Sequence, residues 1–441
     1  MRGGRIAWGI AAAYAIVYSW LGIVRYGSYH ASCDDGLFVQ SIATAFHGFH
    51  NTPEGASHFA YHFSPILYVL APLLWATKSP IALVVVAAVA CSLTVPAVYF
   101  IARRRLPEPA AVLVALIAAL YPALGGISFT DFSENVFAPA AAAWLVWAID
   151  TRRMPLAAIF GLLCLSIKED QAVILGALGV VGAVYFARRG ERAWVWFCLG
   201  LSVVSVATIT LFMTVVRRAT GVWYGYPSIR DFYGGASPMQ LVVGLFSAPK
   251  FSYVLAILVP LLGICLLSGS ILLAVPGLAE CLFSRVPITY TMGQHYAAVW
   301  VPYVLIAFAL GVVRIWRFSP KLAYAALAVA LSLNVYIDVA ASPNDWSANL
   351  FSQPGAGTAM LDDFIATLPQ DASITTFCQV YAHLGMHPQA TVYATSPTEY
   401  VVLYPARDIA DWDARERQYL NVAPGYRLLQ SADGIEIYRR K

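Results

Sequence analysis

Apolar residues run in blocks of about 20 along most of this chain, separated by short polar clusters, which is the pattern of membrane-spanning helices. The first block covers residues 6–26, behind Arg2 and Arg5. Further blocks follow at 80–102, 109–122, 137–149, 155–167, 171–187, 194–216, 251–268, 270–283, 296–313 and 322–340. About eleven spans are therefore expected. The stretch 27–79 is too polar at its start to span and reads as the first outer loop. It contains two short helical patterns, 36–47 and 65–76, the second opening with Ser64 as cap and Pro65 at the first helical position. That second piece is too short to cross and is expected to lie in the interface or re-enter. GGISFTDFSEN, after the third block, reads as a polar loop.

Beyond residue 340 the pattern changes. ASITTF, ATVYA, EYVVLY, YRLLQ and IEIYR read as strands, while GTAMLDDFIATL and DWDARERQYLN read as helices. The expected organisation is a transmembrane domain over 1–340 and a small α/β domain over 341–441, with Pro343-Asn344-Asp345 opening the linker.

Composition agrees. With 59% hydrophobic residues and a mean hydropathy of +0.66, a soluble globular protein is excluded. A formal charge of +4 gives no footprint for nucleic acid. Where the cations sit is more telling: Arg103–Arg105, Arg152-Arg153 and Arg188, Arg189 and Arg192 fall on one side of the alternating spans. The positive-inside rule then places the N-terminus in the cytoplasm and residues 341–441 outside, in a multi-pass protein of the inner (plasma) membrane. Ala-Ser-Cys before Asp34 is reminiscent of a lipoprotein cleavage box, but His30 stands where an aliphatic residue is wanted, so the first helix is read as uncleaved. The cysteines at 33, 91, 164, 198, 265, 281 and 378 contain no CxxC pair, and neither a zinc site nor a disulfide framework is indicated.

Candidate chemistry collects at the outer ends of the spans. Asp34 and Asp35 follow the first helix, where a carboxylate can accept a proton or hold a divalent cation; equally, either could cap the 36–47 helix. Five of the eight histidines (His30, His47, His50, His58, His62) lie close by. His58 and His62 have the spacing of a metal-ligating or phosphate-donating pair if that segment is helical, a geometry that Pro65 leaves open. Lys168-Glu169-Asp170 puts three charges at a membrane boundary, either as a local salt-bridge network or as a lysine meeting a lipid-linked phosphate. Asp131 and Glu134 in FTDFSEN, and His295-Tyr296 before the tenth span, share that side. Polar groups gathered at one interface favour chemistry there over a transport path, which would place them at midplane.

The order of these motifs resembles the family of predicted membrane proteins known as domain of unknown function 2079, itself similar to GT-C glycosyltransferases. The family's D-x-G-[IL]-F-x-Q is met by Asp34-Asp35-Gly36-Leu37-Phe38-Val39-Gln40, with Asp34 as its leading acid. H-F-x-x-H-F-S-P-I is intact from His58 to Ile66. K-E-D is Lys168-Glu169-Asp170, and H-Y is His295-Tyr296. In the tail, Asp371-Ala372-Ser373-Ile374 and His383-Leu384-Gly385-Met386-His387 also match. One departure stands out: the family's D-F-H-P-E is Asp131-Phe132-Ser133-Glu134-Asn135 here, leaving Glu134 as the candidate substitute for the lost acid.

The resemblance implies a GT-C-like fold and transfer of a sugar from a polyprenyl-phosphate donor to an acceptor on the outer face. Asp34 would be the general base, with Asp35 beside it in the catalytic loop. Lys168, with His58, His62 or His295, would neutralise the leaving phosphate, while Glu169 and Asp170 orient Lys168 or a metal. Asp131, Glu134 and Tyr296 would complete the substrate site. No cofactor is demanded, although a divalent metal is one option. The expected partners are membrane lipids and the lipid-linked sugar. The rival readings are a lipid-linked sugar flippase and a non-catalytic membrane assembly protein.

Overall fold

The structure, a computed structural model, describes residues 2–221, 232–340, 355–392, 396–404 and 425–441. The expected linker start at Pro343, and the DWDARERQYLN helix, lie outside these residues.

Six helices are long and apolar enough to cross a membrane: Gly3–Gly27, Ile81–Arg103, Glu169–Ala187, Arg192–Ala219, Val301–Phe318 and Pro320–Ala340. Counting each bent pair as one span raises the number to eight among the described residues. The remaining expected spans are shorter. Residues 154–165 and 269–283 form short apolar helical segments, and 138–150 forms a helix of 13 residues.

The breaks follow local chemistry. Pro122 has no N–H to continue the helix Glu108–Ala119, so the chain bends by 45° and resumes as Pro122–Phe129. GGISF therefore belongs to a helix and not to a loop. All eight residues of this piece are buried, and its glycines allow close approach: a Cβ on Gly126 would lie 2.3 Å from the Cα of Gly293. Likewise the expected 251–268 helix ends at Leu258, where a 3₁₀ turn carrying Pro260 leads into the left-handed Leu262 and Gly263. The lipid-facing role of the long helices shows in what they expose. In Arg192–Ala219 only 17% of the apolar window is buried, and Trp196, Val203 and Val206 stand outward.

The first helix, α1 (Arg2–Gly27), is followed by a short helix, α2 (Cys33–Ala43). Next come a two-residue hairpin, β1 (His50–Asn51) with β2 (Ala56–Ser57), and a single 3₁₀ turn, His58–Ala60. Residues 65–77 form a 3₁₀ segment and a short helix that opens at Pro65 as expected, although the Ser64 side chain makes no cap bond.

The C-terminal part is a five-stranded sheet in the order β4-β3-β5-β7-β6. Its strands are β3 (Ile374–Thr375), β4 (Ala390–Thr391), β5 (Tyr400–Leu403), β6 (Tyr426–Ala432) and β7 (Ile435–Arg440). The helix Ala356–Thr367 packs on β6, and its Leu361 and Phe364 share a core with Ile374, Val402 and Ile437. Tyr29, from the turn after α1, belongs to the same core.

Contact with α2 is close. A Cβ on Gly36 would lie 2.6 Å from the Tyr381 carbonyl oxygen, and one on Gly385 would meet the Val39 side chain at 2.7 Å. The His383 ring stacks on Tyr26 and Tyr29 with centroids 4.0 and 3.9 Å apart. The Tyr29 hydroxyl donates to Asp362 at 2.6 Å.

One expectation is overturned. Cys33 and Cys378 form a disulfide across 345 residues of chain. The reason is that α2 and the short helix at Cys378–Tyr381 pack side by side, with Cys33 beside Cys378 and Gly36 beside Tyr381, which no cysteine spacing reveals. The other five cysteines are free and buried. We expect Cys33 and Cys378 to resist alkylation until reductant is added, and their peptides to be recovered joined in a non-reducing digest. Replacing both by serine should cost stability on the order of 2–4 kcal/mol. Free thiols at both positions in unreduced protein would contradict the pairing.

Candidate functional site

The site is built where α2, the turn after Pro122–Phe129, the His58 turn and the start of the Glu169–Ala187 helix meet. Ser32 occupies the N-cap position of α2 with no side-chain bond, so neither aspartate serves as its cap. Two loops exchange carboxylate–amide bonds instead. Asp35 Oδ1 accepts from the backbone N–H of Phe132 at 2.7 Å, and Asp131 Oδ1 accepts from that of Ser32 at 2.9 Å. Arg25, from the last turn of α1, pairs with Asp131 at 2.8 Å.

A second layer of acids is equally committed. Glu54 binds the His58 Nδ1 at 3.1 Å and takes a further bond from Asn51. Glu169 meets His62 Nδ1 at 2.8 Å and accepts from the Phe63 N–H at 2.8 Å. Lys168 Nζ stands 3.4 Å from Glu134 Oε1, with that glutamate 1% exposed. Asp170 accepts from the side chain of Gln171 at 3.2 Å. The two histidines follow one another around a single turn, through a bond from the His62 N–H to the His58 carbonyl, and their rings lie 5.4 Å apart.

The groups expected from the sequence thus come together. Asp34 feels the fields of Asp131, Glu134, Lys168 and Glu54, and Tyr296 those of Lys168, Asp34 and Glu134. His295 feels those of Lys168, Glu134, Asp131 and His62. Two of these residues also meet partners that the sequence did not suggest. Glu169 orients His62 and the Phe63 amide, and Lys168 is matched with Glu134, the residue at the departure from the family pattern. Among the described residues no three His, Cys, Asp or Glu side chains gather as a metal cage. Asp35 and Asp131 each engage one oxygen, Oδ1, with a backbone amide, and Arg25 pairs with the same oxygen of Asp131.

Electrostatics raise both Asp34 and Asp35, chiefly through burial. Burial, then the negative Asp131 and Glu134, push its carboxyl up to about 7 against the opposing pull of Lys168. Burial and Asp131 carry Asp35 up to about 8, although Arg25 and the Phe132 amide pull the other way. For Glu134, burial is outweighed by Lys168, His62 and His58, which hold it below the usual range. His58 is raised: burial opposes its charge, but Glu54 prevails. Burial, then Lys168, lowers His295 to about 4, so it is neutral. Asp34 is partly exposed and makes no hydrogen bond or ion pair among the described residues, unlike its acidic neighbours.

The sequence reading did not find Arg25, Glu54 or Gln40. Gln40 donates to the His387 and Ala390 carbonyls at 3.0 and 3.3 Å. Its side-chain oxygen accepts from the Thr52 amide at 2.7 Å and the Tyr381 hydroxyl at 2.9 Å. It stood in the D-x-G-[IL]-F-x-Q motif without a role; the full use of its amide supplies one.

The fold is shared with solved structures. ArnT from Cupriavidus metallidurans bound to undecaprenyl phosphate superposes with a TM-score of 0.60 at 11% identity, covering 97% of each chain. The apo state of that protein gives 0.54 at 10% identity over 97% of this chain and 98% of that one. The archaeal oligosaccharyltransferase AglB from Archaeoglobus fulgidus, in complex with an inhibitory peptide and a dolichol-phosphate, gives 0.46 at 13% identity over 99% and 74%. No curated protein matches in sequence.

Asp34 should titrate near neutrality. In infrared difference spectra, a protonated-carboxyl band should fade as pH rises through about 7, and Asp34→Asn should lack that component. Its persistence in Asp34→Asn would mean that another acid carries the proton.

The family described as "Predicted membrane protein (DUF2079)" matches residues 27–419, and the chain belongs to it.

Proposed function

We propose that this protein is a GT-C-type membrane glycosyltransferase that moves a sugar from a polyprenyl-phosphate donor to an acceptor on the extracytoplasmic face. The observation that carries this reading is Asp34. It is the acid of the cluster that remains uncommitted among the described residues, and its carboxyl titrates at about 7. A base poised near the working pH combines a useful ionised fraction with a real affinity for the proton. Likeness of fold to a structure holding undecaprenyl phosphate supports the substrate class. The arginine clusters support the orientation, as does the Cys33–Cys378 bond, because disulfides persist in oxidising compartments.

In the proposed reaction Asp34 takes the proton of the acceptor hydroxyl as its oxygen attacks the anomeric carbon. The bond from that carbon to the phosphate oxygen breaks, and its electron pair leaves with the phosphate. A single displacement inverts the anomeric centre. Asp35 and Asp131 position α2 against the 130–135 turn. Lys168 holds Glu134 ionised, and neutral His295 with Tyr296 offers uncharged hydrogen-bonding groups to the sugar. Ionised Asp34 is the active form, so transfer should rise with pH through about 7.

Asp34→Asn should lower transfer on the order of 10²–10⁴-fold while leaving insertion and folding intact, and Asp35→Asn should act mainly on stability. The readout is mass spectrometry of lipid extracts: cells lacking the protein accumulate a polyprenyl-phosphate sugar, and Asp34→Asn fails to clear it. Clearance by Asp34→Asn at the wild-type rate would remove Asp34 from the reaction.

A further inference from the structure

The acid cluster is a poor home for a phosphate. Its carboxyls (Asp34, Asp35, Glu54, Asp131, Glu134, Glu169 and Asp170) surround Lys168 and Arg25, and each of those cations already faces an acid. A dianion placed there would meet more negative charge than positive. The neighbouring surface is of the opposite kind.

A cavity of about 370 Å³ opens between the short helix Pro238–Gly244 and the chain after Phe283. Lys250, Arg285, Gln240, Ser247 and Tyr290 line it. Lys250 is 6% exposed, and its ammonium lies 5.0 Å from the centroid of the Tyr290 ring. Arg285 gives one Nη1 bond to the Gly234 carbonyl at 2.9 Å. Neither cation has a carboxylate partner among the described residues. Arg104, Arg105 and Arg152, at the other ends of the spans, all do. A nearly buried ammonium without a counter-charge is expensive, and a cavity at its side points to an anion that completes the pair.

The surroundings tell what carries the anion. Met239, Val242, Val243, Phe246 and Phe251 are exposed around the cavity's helices, which belong to a bent pair apolar enough to span. The cavity is also joined to the acid cluster. The Arg285 N–H donates to the Phe232 carbonyl at 2.8 Å, and the Phe232 ring lies 6.0 Å from that of Tyr296, which senses Asp34 and Lys168.

We propose that Lys250 and Arg285 form the seat for the phosphate group of a membrane amphiphile, separate from the acids that surround Asp34. This rests on the glycosyltransferase reading only in taking that amphiphile to be the donor lipid. The arrangement then divides the labour. Phosphate is held at the lipid side by unpaired cations, and its sugar reaches past Phe232 and Tyr296 toward Asp34. Lys168 serves to keep Glu134 ionised and does not clamp the phosphate.

The test is binding to the purified full chain in detergent, with farnesyl phosphate, farnesol, phosphatidylglycerol and inorganic phosphate as probes. Farnesyl phosphate should bind and farnesol should not. Lys250→Gln and Arg285→Gln should each weaken binding tenfold or more, Lys250→Arg should retain it, and Asp34→Asn should leave it unchanged. Removing a buried charge without a partner should also raise the melting temperature of ligand-free Lys250→Met, whereas loss of a merely structural lysine would lower it. Phosphatidylglycerol bound at these residues with no affinity for farnesyl phosphate keeps the site and sinks the polyprenyl donor. Inorganic phosphate bound as tightly as farnesyl phosphate overturns the amphiphile. Affinity unchanged in both glutamine variants overturns the site.

Discussion

The exchange of carboxylate–amide bonds between Asp35 and Phe132, and between Asp131 and Ser32, is the constraint on which the rest of the site depends. The first satisfies a buried amide, which would cost about 1–3 kcal/mol if left without a partner, and the second a partly buried one. Together they fix both the height and the rotation of α2. Adjacent residues on a helix point about 100° apart, so anchoring Asp35 inward turns Asp34 toward the open side. Arg25 completes the arrangement from the last turn of α1. The pairing explains why two consecutive aspartates have different duties: one holds the frame, and the other is held by it.

Charge balance sets the second constraint. Buried carboxylates are costly unless each finds a hydrogen-bond donor or a cation, and this protein matches them nearly one by one: Glu54 with His58, Glu169 with His62, Glu134 with Lys168. So matched, Glu54 and Glu134 are held below the usual carboxylate range. The cost surfaces at Asp34, whose pKa is raised by burial first and then by the negative Asp131 and Glu134. The pairing leaves Asp34, among the described residues of the cluster, without a hydrogen bond or ion pair of its own.

The sequence made the membrane architecture legible because hydropathy blocks are local, and the Arg clusters marked their ends. It also named Asp34, His58, His62, Lys168 and His295, which the structure brings together. It overcounted long spans where proline and glycine cut apolar runs into short pieces, as at Pro122 and Gly263. It missed what depends on distant chain segments meeting. Arg25 pairs across 106 residues only because α1 ends beside the 130–135 turn, and Cys33 reaches Cys378 over 345 residues. Nothing in the spacing of either residue signals its partner. Gln40 is the intermediate case, visible in a motif but interpretable only once Thr52, Tyr381 and Ala390 are seen around its amide.

The attachment of the C-terminal sheet belongs to the same logic. Cys33 is the residue before Asp34, and its disulfide, the Gly36–Tyr381 contact and the Gln40 bonds all fall along α2. The α2 helix is 11 residues long, and helices of that length are marginal in isolation. Its order must come from what it touches: the bundle through Asp35 on one side, the sheet through Cys33, Gly36 and Gln40 on the other. The C-terminal sheet is therefore part of the mounting of Asp34, although none of its described residues adds a titrating group to the cluster. A raised carboxyl pKa depends on rigid support from both sides. A looser helix would let Asp34 swing to water, where its pKa would fall back toward the ordinary carboxylate value.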